Sequence, residues 1–237
     1  NNFEVSNLIA RGNIKEVKAK LYKKLFLSDT SFDFFFDTTD IIIKNTKTNM
    51  KGVKLKDGNI YITRDNEITL KSEFSSEVNL DKENLENYLI FLKELRFKDN
   101  LANINASLDH ILNIKFDKTL KILDFNYSNN GNIKNFSYDL DLKKNDFLKE
   151  DIKKIDLKDT KINFKLNSNK EYVVNKKGKY RLNNGNLQNF ELTNNSSKNS
   201  HTTQIKFDTD HELDIDIINF KKQKDSLAKI NLIIHVK

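Results

Sequence analysis

Five carboxylates stand at alternate positions late in this sequence: Asp208, Asp210, Glu212, Asp214 and Asp216. On one extended strand, a period of two would set all five on the same face. Neighbours in such a row lie roughly 6.5–7 Å apart, twice the strand rise of about 3.3 Å. Calcium takes about 6–8 oxygens at roughly 2.3–2.6 Å, so the row alone closes no shell and would need ligands from another strand or a loop. Acid–base catalysis would need two of these groups enclosed, in environments that separate their pKa values. Nothing in the surrounding sequence encloses them. The plainer reading is a solvent-facing acidic stripe backed by Leu213, Ile215 and Ile217, and the five remain weak metal candidates.

Other chemistry is scarcer still. His110, His201, His211 and His235 have no partner at metal-ligand spacing, and cysteine is absent. That removes zinc clusters, disulfides and thiol nucleophiles. No HExxH, GxSxG or Walker loop occurs. The sequence therefore reads as a non-enzymatic chain without a cofactor.

The elements that would carry a function are strands. Val17, Ala19 and Leu21 alternate with polar residues, as do Phe32, Phe34 and Phe36, and Ile41-Ile42-Ile43 comes next. Gly-Asn pairs recur at Gly12-Asn13, Gly58-Asn59, Gly131-Asn132 and Gly185-Asn186, and each reads as a turn feeding a strand, because both residues tolerate positive φ. Asp57-Gly58 predicts a tight hairpin with Val53 and Leu55 on one arm and Ile60 and Ile62 on the other. Arg64-Asp65-Asn66-Glu67 turns again into Ile68 and Leu70. Further strands are expected at 101–108, 110–117, 120–128, 133–142, 160–167, 171–175, 178–183, 187–194, 202–208, 211–220 and 227–236. One helix is predicted, about 81–97, with Asp81 as N-cap and an apolar stripe of Leu85, Leu89, Leu92 and Leu95.

Composition agrees with a sheet wet on one side. Hydrophobic residues make up 37%, and proline is absent, so every backbone N–H is free to join a ladder. The net charge of +7 does not point to nucleic acid, because only Arg11, Arg64, Arg96 and Arg181 supply the bidentate fork, and lysines mixed with acids supply the rest. No apolar run approaches the roughly 18 residues of a membrane span. The opening Asn1-Asn2-Phe3 lacks a methionine, which suggests a piece of something longer.

The stretch RGNIKEVKAKL, then FDFFF, then MKGVKLKDGNIYITRDNEITLKSEF, with a helix and new strands after it, resembles the AsmA-like superfamily of Gram-negative envelope proteins, above all its YhdP and TamB type. The resemblance implies a mainly β fold: a long antiparallel twisted sheet curled into an open groove, forming one elongated segment over 1–237 or two sub-units, 1–98 and 99–237. It implies a periplasmic lipid-transport module for outer-membrane biogenesis, a bridge anchored in the inner membrane through a segment not present here. Phospholipid and adjoining segments of the same chain would be its partners. The family supplies no catalytic residues. The groove floor is expected at Val53, Leu55, Ile60, Ile62, Ile68 and Leu70. The alternative is a secreted or surface β-sandwich that binds a protein or glycan and buries those same residues in a closed core, since period two serves both.

Overall fold

The computed structural model describes residues 8–22, 25–65, 67–85, 88, 101–144, 149–215, 219–224 and 226–236. The chain is mainly β. In order, β1 (Ala10–Tyr22), β2 (Leu25–Phe36), β3 (Asp40–Met50), β4 (Val53–Arg64) and β5 (Ile68–Asp81) lead into a short helix, α1 (Lys82–Leu85). Then come β6 (Leu101–Phe116), β7 (Ile122–Leu142), β8 (Ile152–Asn167), β9 (Tyr172–Leu182), β10 (Gln188–Ser197) and β11 (Ser200–Thr209). The last three are β12 (Leu213–Ile215), β13 (Phe220–Lys222) and β14 (Ala228–Val236).

Twelve strands form one antiparallel sheet in chain order, β1 to β11 and then β14. The β12–β13 hairpin leaves the sheet as a separate two-stranded piece before β14 returns beside β11. β1 and β14 are its two ends and do not pair with each other, so the sheet is not a barrel. The expected boundary at 98/99 lies outside the described residues, and the strands on either side of it, β5 and β6, are paired from Ile68↔Phe116 to Asp81↔Asn103.

Most Gly-Asn pairs lie inside long strands and are not turns. Gly12-Asn13 lies within β1, Gly58-Asn59 within β4 and Gly131-Asn132 within β7, and only Gly185-Asn186 sits in a connection. The expected hairpin at Asp57-Gly58 is a β-bulge: Asp57 takes φ 53°, and the register skips from Lys56↔Ser75 to Asn59↔Glu73. Glu16, Asp29, Asn45 and Asp159 share this left-handed conformation in β1, β2, β3 and β8, and the register shifts beside each. An extra residue in a strand bends it and flips the parity of the residues beyond it. That is how Val53 and Leu55 come to share a face with Ile60 and Ile62 on one continuous strand. The pairs 101–108 with 110–117, 120–128 with 133–142, and 171–175 with 178–183 likewise merge into β6, β7 and β9.

The true turns are built from carboxylates and amides accepting backbone N–H groups. Asp37 accepts from Thr39 (2.8 Å) and Asp40 (2.7 Å), and Asp117 from Thr119 (2.8 Å) and Lys121 (3.0 Å). Asn167 does the same for Asn169 (3.0 Å) and Glu171 (3.1 Å). Gly52, at φ 77°, makes the turn from β3 to β4, where any Cβ would meet Leu80 and the Asn79 carbonyl.

Candidate functional site

With the bulges in place, one face of the sheet carries most of the apolar side chains, from β1 to β14, with polar groups among them. A contiguous cross-strand row runs Phe36, Ile41, Ile62, Leu70, Ile114 and Phe125 from β2 to β7. A second runs Leu80, Ile104, Phe136, Leu157 and Tyr180 from β5 to β9. Phe190, Phe207 and Ile230 continue it over β10, β11 and β14. The opposite face carries the lysines and acids, with exposed pairs such as Lys56–Glu77 and Lys177–Glu191, each at 2.6 Å.

No second sheet covers this apolar face among the described residues; the large sheet's only companion is the three-residue-stranded β12–β13 hairpin. The six expected floor residues, Val53, Leu55, Ile60, Ile62, Ile68 and Leu70, all lie on it and are half-buried. Two local covers exist. At one end α1 packs Leu85 on Leu80, with Val53, Val78, Tyr88, Ile104 and Phe136 around them. Asp81 caps this helix as expected, its carboxylate accepting the Asn84 N–H at 2.8 Å. Of the expected stripe only Leu85 can be placed; Leu89, Leu92 and Leu95 lie outside the described residues.

The second cover is over β8–β11. There the chain from Lys149 to Ile152 and the segment from His211 to Leu213 roof a hollow of about 440 Å3. Ile155, Leu157, Tyr180, Leu192, Ile205 and Phe207 are among the residues that line it. Polar ties hold the roof: His211 Nδ1 pairs with Glu150, Asp214 lies 3.4 Å from both Lys149 and Lys221, and the buried Lys222 donates to the His211 carbonyl at 2.7 Å. The Tyr180 ring meets Phe190 and Phe207 edge-on, and its hydroxyl on β9 donates to the Asp208 carbonyl on β11 at 2.7 Å, tying the two strands across β10. Burial pushes the Tyr180 pKa up to about 12.

This roof overturns the acidic row. Asp208 is the penultimate residue of β11, Asp210 and Glu212 lie in the connection, and Asp214 belongs to β12. They share no strand because Thr209 Oγ1 accepts the His211 N–H at 3.3 Å and turns the chain out of the sheet. Asp208 and Asp210 instead take amide donors, from Asn189 (3.0 Å) and Asn186 (2.8 Å). Asp216 lies outside the described residues, and no group of three metal-capable side chains gathers among those described.

A polar band interrupts the apolar face mid-sheet. His110 Nε2 is 2.8 Å from Ser76 Oγ; its Nδ1 is 2.7 Å from the Tyr127 hydroxyl and 3.0 Å from Asn129 Nδ2, while Phe74 stacks on the ring at 4.4 Å. Burial lowers the His110 pKa against the opposing charge of Asp109. These groups satisfy one another, so the band ties β5, β6 and β7 together and leaves no site open.

No family model matches the chain, and neither a curated protein nor a solved structure matches it.

Proposed function

We propose that this chain is a non-enzymatic lipid-binding module, along whose open apolar face the acyl chains of phospholipids lie and slide. The observation that carries the reading is the apolar face of the twelve-stranded sheet, which no second sheet covers among the described residues. Apolar surface left in water costs about 25 cal/mol per Å2, and hydrocarbon laid on it removes that cost for both partners. Sliding needs no covalent step and no single side chain, which suits a face whose chemistry repeats from strand to strand. With the AsmA-like resemblance, the setting proposed is a periplasmic bridge towards the outer membrane, anchored in the inner membrane through another segment. Adjoining segments of the same chain would continue the sheet at β1 and β14. β14 is exposed on both faces, at Leu232 and Ile234 on one and Ile233 on the other, as suits a strand that a neighbour covers.

Purified protein analysed by native mass spectrometry is expected to retain phospholipid. Photocrosslinkers at Ile60 or Ile62, on the apolar face, should label lipid, whereas those at Asn59 or Tyr61, on the other, should not. Equal labelling of both parities, or labelling of neither, would overturn the proposal.

A further inference from the structure

Lys176 is the one cation on the apolar parity of β9. That strand alternates without a slip, and its inward set is Tyr172, Val174, Lys176, Gly178, Tyr180 and Leu182, all buried or half-buried. Across the sheet Lys176 stands between Ile162 on β8 and Leu192 on β10. It lines the roofed hollow with Leu157, Tyr180, Ile205 and Phe207.

Its ammonium has no hydrogen-bond or ion-pair partner among the described residues. The charged groups at the rim are engaged elsewhere or turned to water: Lys149 with Asp214, Glu150 with His211, and Glu212 exposed. The Tyr180 hydroxyl is already donated to the Asp208 carbonyl. Burial lowers the Lys176 pKa, the direction taken by a cation that lacks a counter-charge. A charge in apolar surroundings is costly unless it is paired.

Resting on the lipid reading above, we infer that Lys176 binds the head group of a single-chain fatty carboxylate whose tail fills the hollow. The charge matches: one ammonium, with three N–H donors, meets one carboxylate with two acceptor oxygens. A phosphate monoester carries about −1.5 to −2 at neutral pH and would leave charge uncompensated beside a single lysine. A diacyl phospholipid has two chains to place, and a hollow of about 440 Å3 suits one. The hollow, at about 440 Å3, lies within the range of roughly 300–1,000 Å3 that small-molecule sites occupy.

The test uses three ligands with one tail: laurate, dodecyl phosphate and dodecanol, titrated calorimetrically into the full chain and into Lys176→Met. Methionine keeps most of the apolar stem and removes the charge. Wild type should bind laurate at least about ten-fold tighter than dodecanol, since a charge-assisted hydrogen bond is worth a factor of roughly ten or more. In Lys176→Met that preference should vanish while dodecanol affinity holds within about two-fold, on the same principle. Should Lys176→Met not fold, Lys176→Gln serves, and the wild-type comparison of laurate with dodecanol needs no variant at all. Equal affinity for laurate and dodecanol in wild type overturns the Lys176 inference and leaves lipid labelling at Ile60 untouched. Tighter, Lys176-dependent binding of dodecyl phosphate overturns the carboxylate assignment. Binding of none of the three overturns the inference, and if native mass spectra also lack phospholipid, the lipid reading falls with it.

Discussion

β4 and β5 present Ile60, Ile62, Ile68 and Leu70 half-buried on a face that, among the described residues, α1 covers at one end, near Val53 and Leu80. β8 to β11 present Leu157, Tyr180, Leu192 and Phe207 on the same face of the same sheet, yet beneath the residues around β12. Both regions arise from the same alternation of apolar and polar residues. Alternation therefore makes a floor, and a separate segment makes an enclosure. The roof is held by polar ties at His211, Asp214 and Lys222, which lie in the connection after β11 and in the β12–β13 hairpin, outside the large sheet. The open region suits a guest that moves along the sheet, and the roofed region suits one that stays.

The largest effect that separates the two regions is expected at Asp156, on the polar side of β8 behind the hollow. Its side chain is only 4% exposed, and Arg181 donates to it through Nε (3.2 Å) and Nη2 (2.7 Å). Ser137 Oγ adds a bond at 2.5 Å and Lys154 Nζ lies at 3.2 Å, so three strands meet on one carboxylate. The ion pairs of β4 and β5, such as Lys56–Glu77, are exposed by comparison. Asp156→Ala should cost about 3 kcal/mol, because removing one partner strands the other. Burial pushes this carboxyl up, but the hydrogen bonds from Ser137, Arg181 and Lys154 outweigh it, so its pKa lies below the ordinary value. A depressed folded pKa stabilises above the unfolded value of about 3.9, and that contribution fades as pH falls through the lower folded pKa. Urea melts of wild type and Asp156→Asn should therefore differ at neutral pH and converge below pH of about 4. A gap that stays constant into strong acid would show that the carboxylate charge is not what joins β7, β8 and β9.

Much of the sheet was legible because a one-sided sheet must alternate: β5 keeps its apolar residues at even numbers from end to end, and β6 does so except at Leu101 and Ile111. The bends misled. At Asp57-Gly58 the apolar parity slips from odd to even, and a two-residue turn and a bulge leave the same local trace. What separates them is whether both flanks find partners on each side, as β4 does with β3 and β5, which is a fact about distant chain. Asp37 and Asp117, with threonine two residues on, were the better turn signal, since a side chain that accepts several N–H groups serves a real reversal. The hollow was hidden for another reason. Tyr180, Leu192 and Phe207 look like any other floor residues until the chain after Thr209 folds over them. Lys176 is visible as a lysine at an apolar parity, but Lys176-Lys177-Gly178 reads as a turn, and a turn makes a lysine unremarkable.

A smaller difference is expected between two glycines, one in each region. A Cβ at Gly178 would lie 2.4 Å from Thr160 Oγ1 and 2.6 Å from Thr160 Cα, and Thr160 is fully buried beside the β8 bulge. Backbone cannot yield as a side chain can, so Gly178→Ala should cost about 2 kcal/mol by overpacking. At Gly12 the nearest atom is the tip of the Phe34 ring at 3.0 Å, on a face with room for the ring to tilt. Gly12→Ala should cost well under about 1 kcal/mol, within the range of a tolerated volume change. Thermal melts of the two variants check the order. Equal costs would mean that the bend at Thr160 is no tighter than the open end of the sheet.

The smallest effect belongs to the open region. Thr30 and Thr48, on β2 and β3, are 8% and 5% exposed and share a hydrogen bond of 2.7 Å amid the apolar face. Each hydroxyl satisfies the other, and Thr48 has only a long second bond, to the Ser28 carbonyl at 3.4 Å. Thr30→Val or Thr48→Val alone should cost roughly 1 kcal/mol, since one polar group is left buried without its partner, whereas the double variant should be nearly neutral. The coupling energy from the four-membered cycle is then about 2 kcal/mol and favourable. Additive costs would mean that the two hydroxyls are satisfied separately, and that water or solvent-facing backbone reaches this part of the floor. The double variant also makes the floor more continuously apolar at β2 and β3. If the open face conducts hydrocarbon, that change should leave lipid labelling at Ile60 and Ile62 intact or raise it, because it removes a polar interruption and touches no residue of the roof.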